Sequence, residues 1–281
     1  MTLSDLGQTH KRGVSGYTSK LLKTGQTTQY DSELDDGYYE VGVAKSYTVN
    51  TTGAQSGTTN VDLAHYISGA GAISFNNTTK KITDSGSGLA IFKTGDIILT
   101  SSANNPGPFT VTTGNVAGEI VCSGATFTDE TPAGAVTISK REAISNNTVL
   151  DNNTGLTWLR YPSLKMGAKS NGALIYRESL YDIWAYLAAA NAASVGGYND
   201  WRIPNVTELH TLAEYEHPQA YPNSTAFPSF GVSLAGIWSS TVDVYNGSAR
   251  HYYYNYYAGG FANAYNATAT WFVLLVRGGT A

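Results

Sequence analysis

Apolar positions change their spacing near the middle of the chain. Between residues 65 and 140 they come in short β-branched runs, at 72–75, 97–100, 109–112, 119–122 and 135–138, separated by turn-forming clusters such as Asn104-Asn105-Pro106-Gly107. Short apolar runs bounded by Gly, Asn and Pro predict strands, and their regular recurrence predicts a small β-sandwich or barrel. Residues 1–64 are more polar. One strand-like run lies at 38–43, and the Thr/Asn/Gly stretch at 48–60 predicts a loop or linker, so this part is expected to be an N-terminal arm.

After residue 149 the pattern turns helical in two places. Residues 177–193 put Leu180, Ile183, Trp184, Leu187 and Asn191 on one stripe, with Ala188, Ala189, Ala190 and Ala192 helix-compatible elsewhere. Gly196-Gly197 ends the pattern. A second, shorter helix is predicted after Asn205, which can cap it together with Glu208 three residues on, with Leu209 and Leu212 facing inward. Short strands are expected at 236–240, 251–257 and 271–276. The resulting expectation is an α+β chain in three parts: an arm (1–64), a small all-β domain (65–144) and a differently built domain (145–281).

Composition supports that division. All five Trp (158, 184, 201, 238 and 271) and fourteen of the twenty Tyr follow residue 157. Large aromatics dominate core burial, so the second half needs another kind of core. Only 14% of residues are charged and the net charge is −4, which gives no basic field for nucleic acid or anionic membranes. No apolar run approaches the roughly 20 residues of a membrane span, and Met1 to His10 lacks a signal-peptide pattern. Cys122 stands alone and is expected to be an inert thiol. No metal or cofactor is expected: His210 and His217 are isolated from any Cys, and the acidic residues of the second half are too few for a calcium cage. Ser239-Ser240 lacks the surroundings of a hydrolase nucleophile, so no catalysis is expected.

Four anchors occur in order: Gly155-Leu156-Thr157-Trp158; Asp200-Trp201-Arg202-Ile203-Pro204 leading into the Glu208-Leu209 helix; Trp238-Ser239-Ser240-Thr241; and Val276-Arg277-Gly278-Gly279. The series resembles the formylglycine-generating-enzyme-like branch of the C-type lectin fold, and in particular the variable proteins of diversity-generating retroelements. The resemblance covers roughly residues 149–281. It implies a C-type lectin fold in which Trp158, Trp201, Arg202, Trp238, Trp271 and Arg277 form the scaffold. That domain has no Cys, which argues against the cysteine-dependent oxidase chemistry of the enzyme branch. In the first half, residues 82–97 resemble small β-modules of phage-associated proteins.

The segment 242–270 stands apart. Between Ala249 and Trp271 there are six Tyr and three Asn but no Asp, Glu or Lys. Tyr offers a stiff amphipathic contact at low entropy cost, and Asn, Ser and Gly offer adaptable hydrogen bonds, which is why these residues dominate antibody paratopes. The retroelement resemblance implies that this is a hypervariable segment, since adenine-directed mutagenesis of Asn-type codons yields this residue set. The candidate ligand contacts are Asp243, Tyr245, Asn246, Ser248, His251, Tyr252, Tyr254, Asn255, Tyr257, Asn263, Tyr265 and Asn266, while strand alternation disfavours Tyr253 and Tyr256. The expected partner is a protein or glycan on a target surface, reached from a virion or cell surface, with self-association allowed through the N-terminal region. The rival expectation is a structural virion or surface protein that uses the aromatic segment for subunit assembly.

Overall fold

The computed structural model describes residues 23, 43–163, 166–167, 183–216, 219–230, 236–244, 250–266 and 270–278. Among these, the first half contains β1 (Tyr47–Asn50), β2 (Thr58–Ile67), β3 (Ile73–Asn76), β4 (Lys81–Asp84), β5 (Ile97–Thr100), β6 (Phe109–Thr110), β7 (Thr113–Val116), β8 (Glu119–Val121) and β9 (Thr137–Ser145). The second half contains β10 (Thr148–Asp151), β11 (Leu156–Leu159), β12 (Met166–Gly167), β13 (Gly236–Val242), β14 (Arg250–Asn255), β15 (Phe261–Asn266), β16 (Thr270–Trp271) and β17 (Val276–Gly278). Among the described residues, two α-helices interrupt them, α1 (Ile183–Ala192) and α2 (Val206–Thr211). The α+β expectation is therefore overturned: the fold is dominated by β-structure. The helical signals were local and correct in kind, but α2 is only six residues long, and the described strands pair antiparallel in five sheets.

In the first half, sheets β2-β9-β5-β6 and β3-β4-β8-β7 enclose an aliphatic and Phe-rich core that includes Ile73, Phe75, Ile82, Phe92, Ile98, Ile120 and Ile138. Cys122 is fully buried there, and burial pushes its thiol up to about 11. In the second half, the sheets are β1-β10-β11-β17, β13-β14-β15 and the short pair β12-β16. Two cores lie between these layers. One is centred on Trp201, Trp238 and Tyr253, the other on Trp158, Phe227, Tyr254 and Tyr256.

The predicted linker at 48–60 shrinks to residues 51–57, a short connection between β1 and β2. Tyr47–Asn50 pairs with β10 as the edge of a second-half sheet, and β2 runs antiparallel to β9 for most of its length. Thr, the commonest residue in this stretch, is β-branched and suits a half-buried strand as well as a loop, so composition alone could not separate the two. The β2/β9 pair also reaches across to the second half, because Val61, Leu63 and Ile144 share one core with Ile183, Tyr186 and Trp201. Tyr38 to Gly42 of the predicted 38–43 strand lie outside the described residues.

Helix α1 buries Ile183, Tyr186 and Ala190, with Leu187 partly buried. Trp184, expected on the inner stripe, is 41% exposed. The helix is turned so that small Ala190 lies against the core, and the position after Ile183 then points away from it. Leu180 and the start of the predicted helix lie outside the described residues. Among the described residues, no helix is long and apolar enough to cross a membrane.

Candidate ligand-binding surface

The scaffold around Trp201 is fixed by a chain of local hydrogen bonds. Asn191, near the end of α1, accepts from the Trp201 N–H (2.8 Å) and donates to the Trp201 carbonyl (2.9 Å), and the indole N–H donates to the Val195 carbonyl (2.8 Å). Gly196 makes the turn between them at φ +65°, where a side chain would be strained and would crowd the Asn146 carbonyl. Arg202 then forms a two-pronged pair with Glu208 at 2.7 and 2.6 Å, while Glu208 also accepts from the Asn205 N–H (2.9 Å) and Asn205 accepts from the Glu208 N–H (2.8 Å). That reciprocal box starts α2. Burial alone would push the Glu208 carboxyl up, but the Arg202 guanidinium and the Asn205 N–H together hold it below its ordinary value. Arg277 pairs with Asp200 at 2.6 and 3.0 Å and lies 3.9 Å over the Tyr198 ring. Trp158 and Trp238 are fully buried and Trp201 nearly so, with Trp271 partly buried.

Against this scaffold, strand β14 is packed on both faces. On one, Tyr253 stacks on Trp271 (centroids 4.6 Å apart, planes 9° apart) and meets Trp238 edge-on at 6.2 Å. The cross-strand neighbourhood requires Gly236, because a Cβ there would come within 2.7 Å of the Tyr253 ring. On the other face, Tyr254 lies 5.6 Å from the His210 ring, and its hydroxyl is 3.2 Å from that of Tyr215. Tyr256, just past the strand, tilts against Tyr254 at 4.7 Å and donates its hydroxyl hydrogen to the Leu209 carbonyl (2.7 Å). Burial pushes both phenols well above their ordinary range, so they remain neutral donors.

The candidate contacts therefore divide. Tyr254 (1% exposed), Asp243 (5%) and His251 (7%) are inside, so the expectation that they face a ligand is corrected. For Tyr254 and His251 the reason is that β14 lies between two cores, and alternation along a strand assigns only its faces, not which of them meets water; Asp243 is drawn in where its N–H donates to the Arg250 carbonyl at the start of β14. Tyr253 and Tyr256 are buried as well. Tyr252 and Asn255 are half-buried, and Tyr257, in the turn after the strand, is 45% exposed. Asn263, Tyr265 and Asn266 occupy register positions in β15 opposite Tyr253, His251 and Arg250. Tyr245, Asn246 and Ser248 lie outside the described residues.

The structure adds neighbours that were not anticipated from the sequence. Tyr221 lies close enough to Tyr257 that burial and the mutual repulsion of two phenolates both raise its phenol. His210 and Tyr215, joined at 3.2 Å, wall in Tyr254 from outside the 242–270 segment. Tyr215 and Tyr221 are isolated aromatics in the sequence after α2, so nothing local marked them as neighbours of 254 and 257. Among the described residues, no three His, Cys, Asp or Glu side chains come together as a metal-sized group.

A family model described as the Lcl C-terminal domain matches residues 147–277. The match makes this half of the chain similar to that family, and it supports the variable-protein, lectin-like reading of the motif series. No curated protein and no solved structure matches the chain.

Proposed function

We propose that residues 147–277 form a ligand-binding domain whose hypervariable segment, about 242–270, is diversified by a retroelement and displayed on a virion or cell surface. The partner is a protein or glycan on a target surface. The domain carries out no catalysis and needs no cofactor. The observation that carries this reading is the division along β14 and the turn after it: Tyr257 is exposed and Tyr252 and Asn255 are half-buried, while Tyr253, Tyr254 and Tyr256, interleaved with them, are locked into two cores. A binding surface must change without unfolding its support, and this arrangement separates the two tasks residue by residue. A contact area of about 800 Å² on this side would be of ordinary size for a specific interface.

Sequencing the locus tests it. The expected result is a near-identical template copy beside a reverse-transcriptase gene, with adenine-directed differences at the codons for Tyr252, Asn255 and Tyr257 and none at those for Tyr253, Tyr254 and Tyr256. A locus with neither template nor reverse transcriptase would remove the diversification reading.

A further inference from the structure

Away from the variable segment, a cleft of about 380 Å³ opens where the β2/β9 pair meets the second half of the chain. Its size falls within the range of small-ligand sites, about 300–1,000 Å³. None of its lining residues belongs to 242–270. Leu63, Ile144 and Phe272 supply apolar wall, Tyr161 and Tyr186 supply rings with hydroxyls, and Glu142 supplies one carboxylate. Leu63, Ile144 and Tyr186 are themselves core residues, so the floor is held by packing from both halves.

The charges around the cleft narrow what it can hold. Lys140 reaches Glu142 and Asp96 at 3.1 Å each, so the Glu142 carboxylate already has an ammonium partner. An ionised carboxylate only accepts hydrogen bonds, through two oxygens with several lone-pair sites. An anionic ligand would meet that carboxylate, the one charged group in the lining, while an organic cation would compete with Lys140 for it. The Tyr186 phenol, raised by burial and by Glu142, stays protonated and can donate. Aromatic surface beside a charge-compensated acceptor and neutral hydroxyls suits a molecule with one apolar ring face and donors around its edge.

We propose that this cleft binds a neutral, hydroxyl-bearing ring of about the size of a single sugar unit, stacked on aromatic wall and hydrogen-bonded to Glu142. The test uses the full chain with a panel of neutral methyl hexosides, alongside choline and glucose 6-phosphate as charged probes, read by saturation-transfer NMR and titration. The free hexoses form a further arm: equal binding of hexose and methyl glycoside indicates a site open to a longer glycan, and binding of the hexose alone indicates a free sugar. At least one neutral sugar is expected to bind, with Tyr161→Ala and Glu142→Gln each weakening it about tenfold, the loss expected for one good contact. Tyr161→Phe keeps the ring and is expected to keep the binding, and melting curves verify that each variant is folded. The proposal is overturned if no neutral sugar binds, if folded Tyr161→Ala and Glu142→Gln bind as the parent does, or if a charged probe binds in place of the sugars.

Discussion

The two halves of the chain bury their strands differently. In the first half, β3, β4 and β5 alternate buried and partly open positions, so each strand has one face on the core and one toward water. In the second half, β11 is buried at all four positions, β13 at its first four, and β14 carries Tyr253 into one core and Tyr254 into another. Where both faces are packed, strand faces are not free to vary. Positions open to change are then those the cores leave partly open: Tyr252 within β14, Asn255 at its end and Tyr257 in the turn that follows. A Tyr-rich strand is thus not by itself a binding face, since its hydroxyls can be satisfied internally, as those of Tyr254 and Tyr256 are.

The comparison can be broken at several strengths. The largest effect is expected for Trp238→Ala, which should lower unfolding free energy in urea by about 3–5 kcal/mol, as for other fully buried aromatics. Because Val61, Leu63 and Ile144 join the halves, the variant should still unfold in one transition; two separated transitions would show that the halves are energetically independent. Next is Lys45, whose ammonium donates to the Ala213 carbonyl and whose burial outweighs Glu214 and Asp151 to lower it to about 8. A base lowered by folding sheds its proton in the native state first, so stability should rise with pH between about 8 and 10.5. Lys45→Met should flatten that rise, by roughly 1–3 kcal/mol in pH-dependent unfolding.

A smaller loss, about 1–2 kcal/mol, is expected for Glu208→Gln at neutral pH, since it weakens both the helix cap and the Arg202 pair. The Glu208 carboxyl is held below its ordinary value of 4.5, so its contribution is present above that value and lost as pH falls through the folded one. The difference between parent and variant should therefore shrink in acid unfolding below about pH 4.5. The smallest change is Tyr256→Phe, which keeps the ring and removes one donor from the Leu209 carbonyl. A loss of about 1 kcal/mol by thermal or urea unfolding would sharpen the view that this phenol is satisfied inside its own chain.

Much of the scaffold was legible because its signals are local. The Asn205/Glu208 box spans four residues, and the Trp anchors sit inside short motifs whose burial follows from their size. The five β-branched runs of the first half coincide with or overlap observed strands. What escaped depended on distant chain. Asn191 falls on the helix stripe by spacing, yet it clamps Trp201 ten residues on. The interior placement of Tyr254 needs His210 and Tyr215, which no pattern within 242–270 reveals. Strand β1 and the start of β2, read as loop from their Thr and Asn, are held by pairing with β10 and β9 far along the chain.

The most direct measurement randomises residues 252–257 together, displays the library and selects for protease-resistant folding without any ligand. The account predicts that positions 253, 254 and 256 return as aromatic residues while 252, 255 and 257 accept nearly any side chain. Free recovery of Asn, Ser or Ala at positions 254 and 256 would contradict it.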